Sequence, residues 1–495
     1  MLACMGYKFQ RVLLGCFLFV GPNFARSQQA EPPVHPAPGP ESERVAAPQK
    51  VTVTLSADAN APEVASRFLG VSYESKELLP RNGKYYFNAG NSNLVRMYHT
   101  LGIKSLRVGA NAVDEPQIPV PDTKDIDALF KFARAADAKV IYSFRLKNGD
   151  PANAARLAAY ITKKYSADLD SFCVGNESNF YLKPYKAFDD AFRPEYQAIL
   201  SAVPGAIFDG PASAGGNYPL KFANEFFPGG HISIVSAHAY PLGNGRDAEK
   251  NPAEARERFV SNRTERNYQK MYDEIVLPLA EKNIPFRMDE TNSCHHGGAR
   301  DCSDAYASTL WGLDYLNWWA AHHIVGLNFH TGDQVSGLPD RRANYAAFVS
   351  LPDSSEFEVH PLSYAMLAFS QIAHGRPMDV QANAPAQMNF NAYAYQDGSN
   401  IYVAAANKSH GNTGETGIVT FQLPVDIEKG KWCRMDLEQK DSDIAAKTGV
   451  SLGGSDISPR GKWHGKWEKL KDDEPNLTVT INPATEVLLW FTSEK

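Results

Sequence analysis

Between residues 68 and 330, short β-branched and aromatic runs alternate with segments of helical period, and this rhythm constrains the fold more than any other feature of the chain. Apolar runs of this kind are strands buried on both faces, and an intervening amphipathic helix returns the chain parallel to the strand before it. The candidate strands are Phe68–Tyr73, Ser105–Gly109, Lys139–Arg145, Ser171–Glu177, Ala206–Gly210, Ile232–Tyr240, Pro285–Glu290 and Ile324–His330. Between the second and third, Ile126, Leu129, Phe130 and Ala133 share one helical face, with Asp122 or Thr123 as the cap. Pro151 is expected to open the next helix and Pro194 another, since a first-turn proline gives up no hydrogen bond. A long helix is expected from Ala305 to His323, before the eighth strand. Eight such units in roughly 260 residues predict an α/β protein built on a (β/α)8 TIM barrel. An open doubly wound sheet would place a glycine-rich phosphate loop after its first strand, and Gly70-Val71-Ser72-Tyr73-Glu74 is not one.

At 495 residues the chain exceeds one compact domain. Beyond about residue 375 the pattern becomes alternating strands (Ala392–Tyr395, Ile401–Val403, Gly417–Leu423, Trp432–Leu437, Leu477–Phe491) separated by Asp397-Gly398-type turns. This predicts a C-terminal antiparallel β-sandwich. Val51–Leu55 alternates in the same way and is expected to add a strand to it. The first residues carry Lys8 and Arg11 before an apolar run from Val12 to Val20, the pattern of a secretory signal. The expected organisation is therefore a signal peptide over 1–30, a Pro- and Ala-rich linker over 31–50, an N-terminal sandwich strand over 51–60, the catalytic barrel over 61–375 and the sandwich over 376–495.

Such a protein is expected to be secreted or periplasmic, without membrane contact once the signal is cleaved. Cleavage near residue 27 takes Lys8, Arg11 and Arg26 and no acid, so the formal charge of −6 becomes −9. That balance argues against nucleic acid as a partner. Four cysteines follow the signal, and Cys294 and Cys302, which close a short loop in an exported chain, are the expected disulfide. Cys294-His295-His296 followed by Cys302 is not a zinc-ligand spacing, so neither a metal nor any other cofactor is expected.

The active site of a TIM barrel lies at the C-terminal ends of its strands. The fourth strand runs out through Gly175-Asn176-Glu177 and the seventh through Asp289-Glu290, which brings two glutamates to one mouth. Retaining glycoside hydrolysis needs such a pair, one carboxyl to protonate the leaving oxygen and one carboxylate to attack the anomeric carbon. Arg107 on the second strand is placed to keep the nucleophile ionised, and Asn176 to donate to a sugar hydroxyl beside the reacting carbon. On the sixth strand, His238 and Tyr240 share a face, Tyr240 to bond the nucleophile and His238 to brace the site. Asn176-Glu177-Ser178 also matches a glycosylation sequon formally, at a strand end that is a poor glycan acceptor. Tyr73, Phe180, Tyr181 and Trp311 are candidates for stacking on a sugar.

Leu106-Arg107-Val108-Gly109, Gly175-Asn176-Glu177, His238-x-Tyr240 and Glu290 together resemble the clan of barrel hydrolases that contains glycoside hydrolase family 79. Phe68–Glu74, Glu290-Thr291-Asn292-Ser293 and Asn328-Phe329-His330-Thr331-Gly332 resemble the bacterial β-glucuronidases of that family, relatives of heparanase, over the chain from about residue 50 to its end. The resemblance implies Glu177 as acid/base and Glu290 as nucleophile. It further implies that tyrosine hydroxyls and backbone N–H groups in the loops after strands seven and eight read a sugar carboxylate. There the chain has Ser293-Cys294-His295-His296-Gly297-Gly298, with histidine where the family has tyrosine, while Tyr345 matches the second tyrosine. Glu74, Asn111, His295, Gly297, His330, Gly332 and Tyr345 are accordingly the substrate-binding candidates. The expected activity is an exo-acting β-glucuronidase on an oligosaccharide or glycoconjugate. The alternatives are the same mechanism on a neutral or methylated β-glycoside, and a non-catalytic carbohydrate-binding relative.

Overall fold

Eight parallel strands close into a barrel in the computed structural model, which describes residues 47–335, 338–424, 427–470 and 477–493. The expected signal peptide and residues 31–46 of the expected linker lie outside the described residues. A first strand, β1 (Gln49–Ser56), precedes the barrel, and the barrel strands are β2 (Leu69–Glu74), β3 (Ser105–Gly109), β4 (Lys139–Phe144), β5 (Leu169–Val174), β6 (Phe208–Ser213), β7 (Ile232–Ala239), β8 (Phe286–Thr291) and β9 (Gly326–His330). The barrel closes where β2 pairs with β9, Gly70 opposite Asn328 and Ser72 opposite His330. Gly70 is required at the seam, because a Cβ there would stand 2.3 Å from Asn328 Nδ2.

Local chemistry sets the helices around it. Asp122 caps Thr123–Ala135 in a reciprocal capping box with Asp125, and Pro151 sits in the first turn of Pro151–Tyr165. Pro194 does not open a helix but lies inside Tyr185–Ala202, whose buried Phe188, Phe192 and Ile199 hold the helix through the lost hydrogen bond. The helix Ala307–Ala321 is apolar on all sides because it is enclosed, packing on the helix Leu362–Ile372 and the strand Phe390–Asp397. Its single acid, Asp314, forms a buried ion pair with Lys408 at 3.0 Å.

The C-terminal strands form two sheets over a core of Val53, Leu55, Ile401, Val403, Val419, Ile481 and Leu489 among others. β1 enters the four-stranded sheet between Asp379–Asn383 and Gly417–Gln422, parallel to the latter, so one pair departs from the antiparallel pattern. The single run expected over Leu477–Phe491 is two strands in different sheets, Thr478–Ile481 and Thr485–Ser493. The break falls at Pro483 and Ala484, the latter with φ +50°. Among the described residues, no helix is long and apolar enough to cross a membrane.

Candidate active site

The turn after β5 carries the first glutamate. Gly175 takes φ +82°, and a Cβ there would meet Leu146 Cβ at 2.8 Å, so only glycine lets the chain turn. Glu177 follows in the left-handed region at φ +44°, ψ +36°, a conformation that costs a non-glycine residue about 1–3 kcal/mol and needs support from its surroundings. Its backbone N–H donates to the Ala212 carbonyl at 2.8 Å, and the Asn176 N–H donates to Asp114 Oδ2 at 2.9 Å. Asp114 also accepts from the Leu146 and Lys147 N–H groups and from the Tyr181 hydroxyl, tying three loops together.

Glu290 stands at the end of β8. Arg107 Nη1 donates to its Oε2 at 2.6 Å and the Tyr240 hydroxyl to its Oε1 at 2.8 Å. Arg107, 0% exposed, also donates from Nη2 to Asn176 Oδ1 at 2.7 Å and from Nη1 to Ser72 Oγ at 3.1 Å. A carboxylate oxygen of Glu177, one of Glu290 and a ring nitrogen of His238 lie within 4.8 Å of one another. The Glu177 side chain is 16% exposed and that of Glu290 4%, so the former is the more open to an incoming group.

The electrostatics keep Glu290 ionised. Burial alone would raise the proton affinity of Glu290, but His330, His238, Arg107 and the Tyr240 hydroxyl together hold it well below the usual carboxylate range. Burial would strip His238 of its proton, yet Glu290, Asp289 and Glu177 outweigh it and push the imidazole up to about 10. The three atoms have the proximity of a metal site, and the Arg107 guanidinium stands 2.6 Å from the same Glu290 carboxylate.

Around this pair lies a cavity of about 480 Å³. Of the residues expected at the site, Glu74, Asn111, Glu177, His238, Tyr240, Glu290, His295, Gly297, His330 and Tyr345 line it. Arg107 and Asn176 lie buried beneath. Asn176 does not itself line the cavity; its oxygen accepts from Arg107 and one N–H of its Nδ2 donates to the cavity-lining Asn111 at Oδ1, 3.1 Å away. Gly332 does not line the cavity either; at φ +137° it redirects the chain leaving β9. Of the stacking candidates, only Phe180, 64% exposed, faces the cavity, whereas Tyr73 and Trp311 are core residues and the Tyr181 hydroxyl is bound by Asp114.

The expected Cys294–Cys302 disulfide is absent, and both thiols are free. Each is buried and turned to a different carbonyl, Cys294 to Leu242 and Cys302 to Pro252. Burial pushes their proton affinities up to about 12 and about 11, so both remain thiols.

The loop after β8 forms one wall. His295 Nδ1 and His296 Nδ1 are 2.7 Å apart, so one ring donates and the other carries its proton on Nε2. Gly297 takes φ +86°, and a Cβ there would collide with Val335 Cγ2. Arg341 reaches the His296 and Gly298 carbonyls and Glu249, which pins the loop. Asn292 donates to the His330 and Tyr345 carbonyls at 2.9 and 3.1 Å, and the Tyr345 ring stacks beside Tyr240.

Asp289, Asp114, Asn292, His296 and Val335 were not among the expected site residues. Asp289 was hidden by strand alternation, which sends neighbours to opposite faces. Here Arg107 touches both Asp289, at 3.5 Å, and Glu290, because β8 is irregular between Met288 and Thr291.

Fold and geometry together define a (β/α)8 barrel carrying a close carboxyl pair at its C-terminal mouth, with a β-sandwich beside it. By sequence, the chain matches no protein-family model and no curated protein. Among solved structures it is similar to a 4-O-α-L-rhamnosyl-β-D-glucuronidase from Fusarium oxysporum 12S, at TM-score 0.67 and 18% identity over 88% of this chain and 99% of that one. It is also similar to a family 51 arabinofuranosidase from Xanthomonas axonopodis pv. citri (TM-score 0.62, 12% identity, 90% of this chain, 100% of that one). A monomeric β-xylosidase from Caulobacter crescentus CB15 matches at TM-score 0.58 and 15% identity, over 90% of this chain and 100% of that one. The fold is the one these glycoside hydrolases share.

Proposed function

We propose that the protein is an exported, retaining exo-glycoside hydrolase that releases a terminal β-linked glucuronic acid. The observation that carries the glycosidase reading is that one carboxylate oxygen of Glu177 lies within 4.8 Å of one of Glu290, which brings the two carboxyls close enough for direct attack. Retaining enzymes hold their carboxyls about 5–5.5 Å apart, whereas inverting ones leave room for a water at about 6.5–9.5 Å. Glu290, ionised and oriented by Arg107 and Tyr240, attacks the anomeric carbon while Glu177 protonates the departing oxygen. Glu177 then takes a proton from water, which displaces Glu290 with a second inversion. The fold neighbours named above support a sugar substrate, one of them being itself a glucuronidase by name.

The uronic acid is supported by the wall after β8. The histidine of the His295–His296 pair that accepts at Nδ1 must present an Nε2–H, and Gly297 brings its backbone into the same cavity. Burial and the neighbouring His296 lower the proton affinity of His295, so this wall gains charge, and its hold on a carboxylate, only toward acid pH. The test is a panel of 4-nitrophenyl β-glycosides with the purified protein. We expect the β-glucuronide to be turned over with the highest kcat/KM, increasingly so on acidification. Preference for a neutral sugar overturns the uronide reading, and no turnover of any member overturns the glycosidase reading.

A further inference from the structure

His238 lies between two carboxylates. Its Nδ1 is 3.0 Å from Glu177 Oε1 and its Nε2 3.4 Å from Asp289 Oδ1, with the side chains of His238 and Asp289 only 1% and 0% exposed. Through its other oxygen, Asp289 stands 3.5 Å from Arg107 Nε. A neutral imidazole has one N–H and one bare nitrogen, whereas only the imidazolium offers a donor to the carboxylates on both sides. If Nδ1 were bare, Glu177 would have to direct its own proton at the histidine and away from a glycosidic oxygen.

We propose that Asp289 and His238 form a buried positioning pair for the acid/base: Asp289 holds His238 as an imidazolium, and the imidazolium occupies Glu177 Oε1 so that the transferable proton resides on Oε2. The inference rests on the glycosidase reading above. In the first half-reaction the Oε2–H bond breaks, its proton passes to the leaving oxygen, and that oxygen keeps the electron pair of the glycosidic bond. Glu177 is left as a carboxylate against the imidazolium N–H. In the second half-reaction the attacking water returns a proton to Oε2, so His238 and Asp289 keep their charges throughout.

The charges facing His238 agree. Glu177 approaches from the turn after β5, Asp289 and Glu290 from β8, and Arg107 of β3 reaches the last two. Cys173 of β5 and Asp209 of β6 lie beside Asp289, one atom of each within 4.8 Å of the others. Burial and the charge of Asp289 push the Asp209 carboxyl well up, and burial does the same for the Cys173 thiol, so neither adds an anion beside the pair.

The experiment compares wild type and Asp289→Asn on aryl β-glycosides of whichever sugar wild type accepts. One has a 2,4-dinitrophenyl leaving group, which departs without acid help, and the other a 4-methylphenyl group, which needs it. We expect the loss of kcat/KM on the 4-methylphenyl substrate to exceed that on the dinitrophenyl one by about tenfold or more, within what general acid catalysis contributes. Equal losses on both substrates, as a purely structural role or an effect on Glu290 alone gives, overturn the proposal. Independently, ¹⁵N spectra of histidine-labelled protein, with the His238 signal identified from its loss in His238→Gln, are expected to show an imidazolium at pH 7. A neutral ring in wild type overturns the proposal even if Asp289→Asn does not fold. Absence of turnover by wild type on every glycoside strikes the glycosidase reading instead, while the spectrum still reports the state of the pair.

Discussion

The floor of the cavity, formed by Glu177, His238, Tyr240 and Glu290 over Arg107 and Asn176, hangs on strand ends fixed by barrel pairing and by a dense set of charge-assisted hydrogen bonds. Its rim, formed by His295, His296, Gly297, Val335 and Phe180, hangs on loops whose shape depends on a few tethers such as Arg341 and Asn292. In the proposed function the floor holds the two carboxyls that act on the glycosidic bond. In the same proposal the rim selects the sugar, and in it histidine stands where the resembling family has tyrosine. The proposed chemistry thus rests on strand ends and the proposed specificity on loops, the usual division of a barrel scaffold.

The largest effects are expected on the floor. Glu290→Gln should lower kcat by about 10⁴-fold or more on every substrate, and Glu177→Gln by about 10²–10⁴-fold with the greatest loss on poor leaving groups. Retention of most activity by either variant breaks the assignment of that residue. Arg107→Met comes next. It leaves Glu290 and Asp289 buried without their cation and should cost about 3–5 kcal/mol of stability in urea or heat denaturation. Arg107 also holds Glu290 below the usual carboxylate range, so the nucleophile stays ionised, and active, to low pH. Without Arg107 it takes up a proton sooner, and the acid limb of the kcat/KM profile should move to higher pH. A limb that stays in place contradicts the role given to the guanidinium.

On the rim the effects should be smaller and selective. His295→Ala is expected to lower kcat/KM for a β-glucuronide about tenfold, the size of one hydrogen bond to a charged group, while barely changing that for a β-glucoside. The difference should narrow as the pH rises and His295 loses its charge. Equal losses on both sugars would make the wall a structural element and erase the distinction between floor and rim.

The same division explains what the amino-acid sequence reveals. The barrel is legible because its strands are continuous apolar runs with helices of clear period between them, and Glu177 and Glu290 because each ends such a run. Arg107 and Tyr240 follow from the strand faces they occupy. Alternation fails at Asp289, where β8 is irregular and turns two successive acids toward one guanidinium. Spacing fails at Cys294 and Cys302, whose thiols turn to separate carbonyls, and at Pro194, which tertiary packing keeps within a helix. Val335 sits on a loop whose path no periodicity encodes.

The central claim is that Glu177 and Glu290 perform two successive displacements at one anomeric carbon. It is tested most directly by following the first-formed sugar in the ¹H NMR spectrum during hydrolysis of an aryl β-glycoside that the protein turns over. The β-anomer is expected first, with the α-anomer appearing only by later mutarotation. Initial release of the α-anomer would mean a single displacement and contradict it.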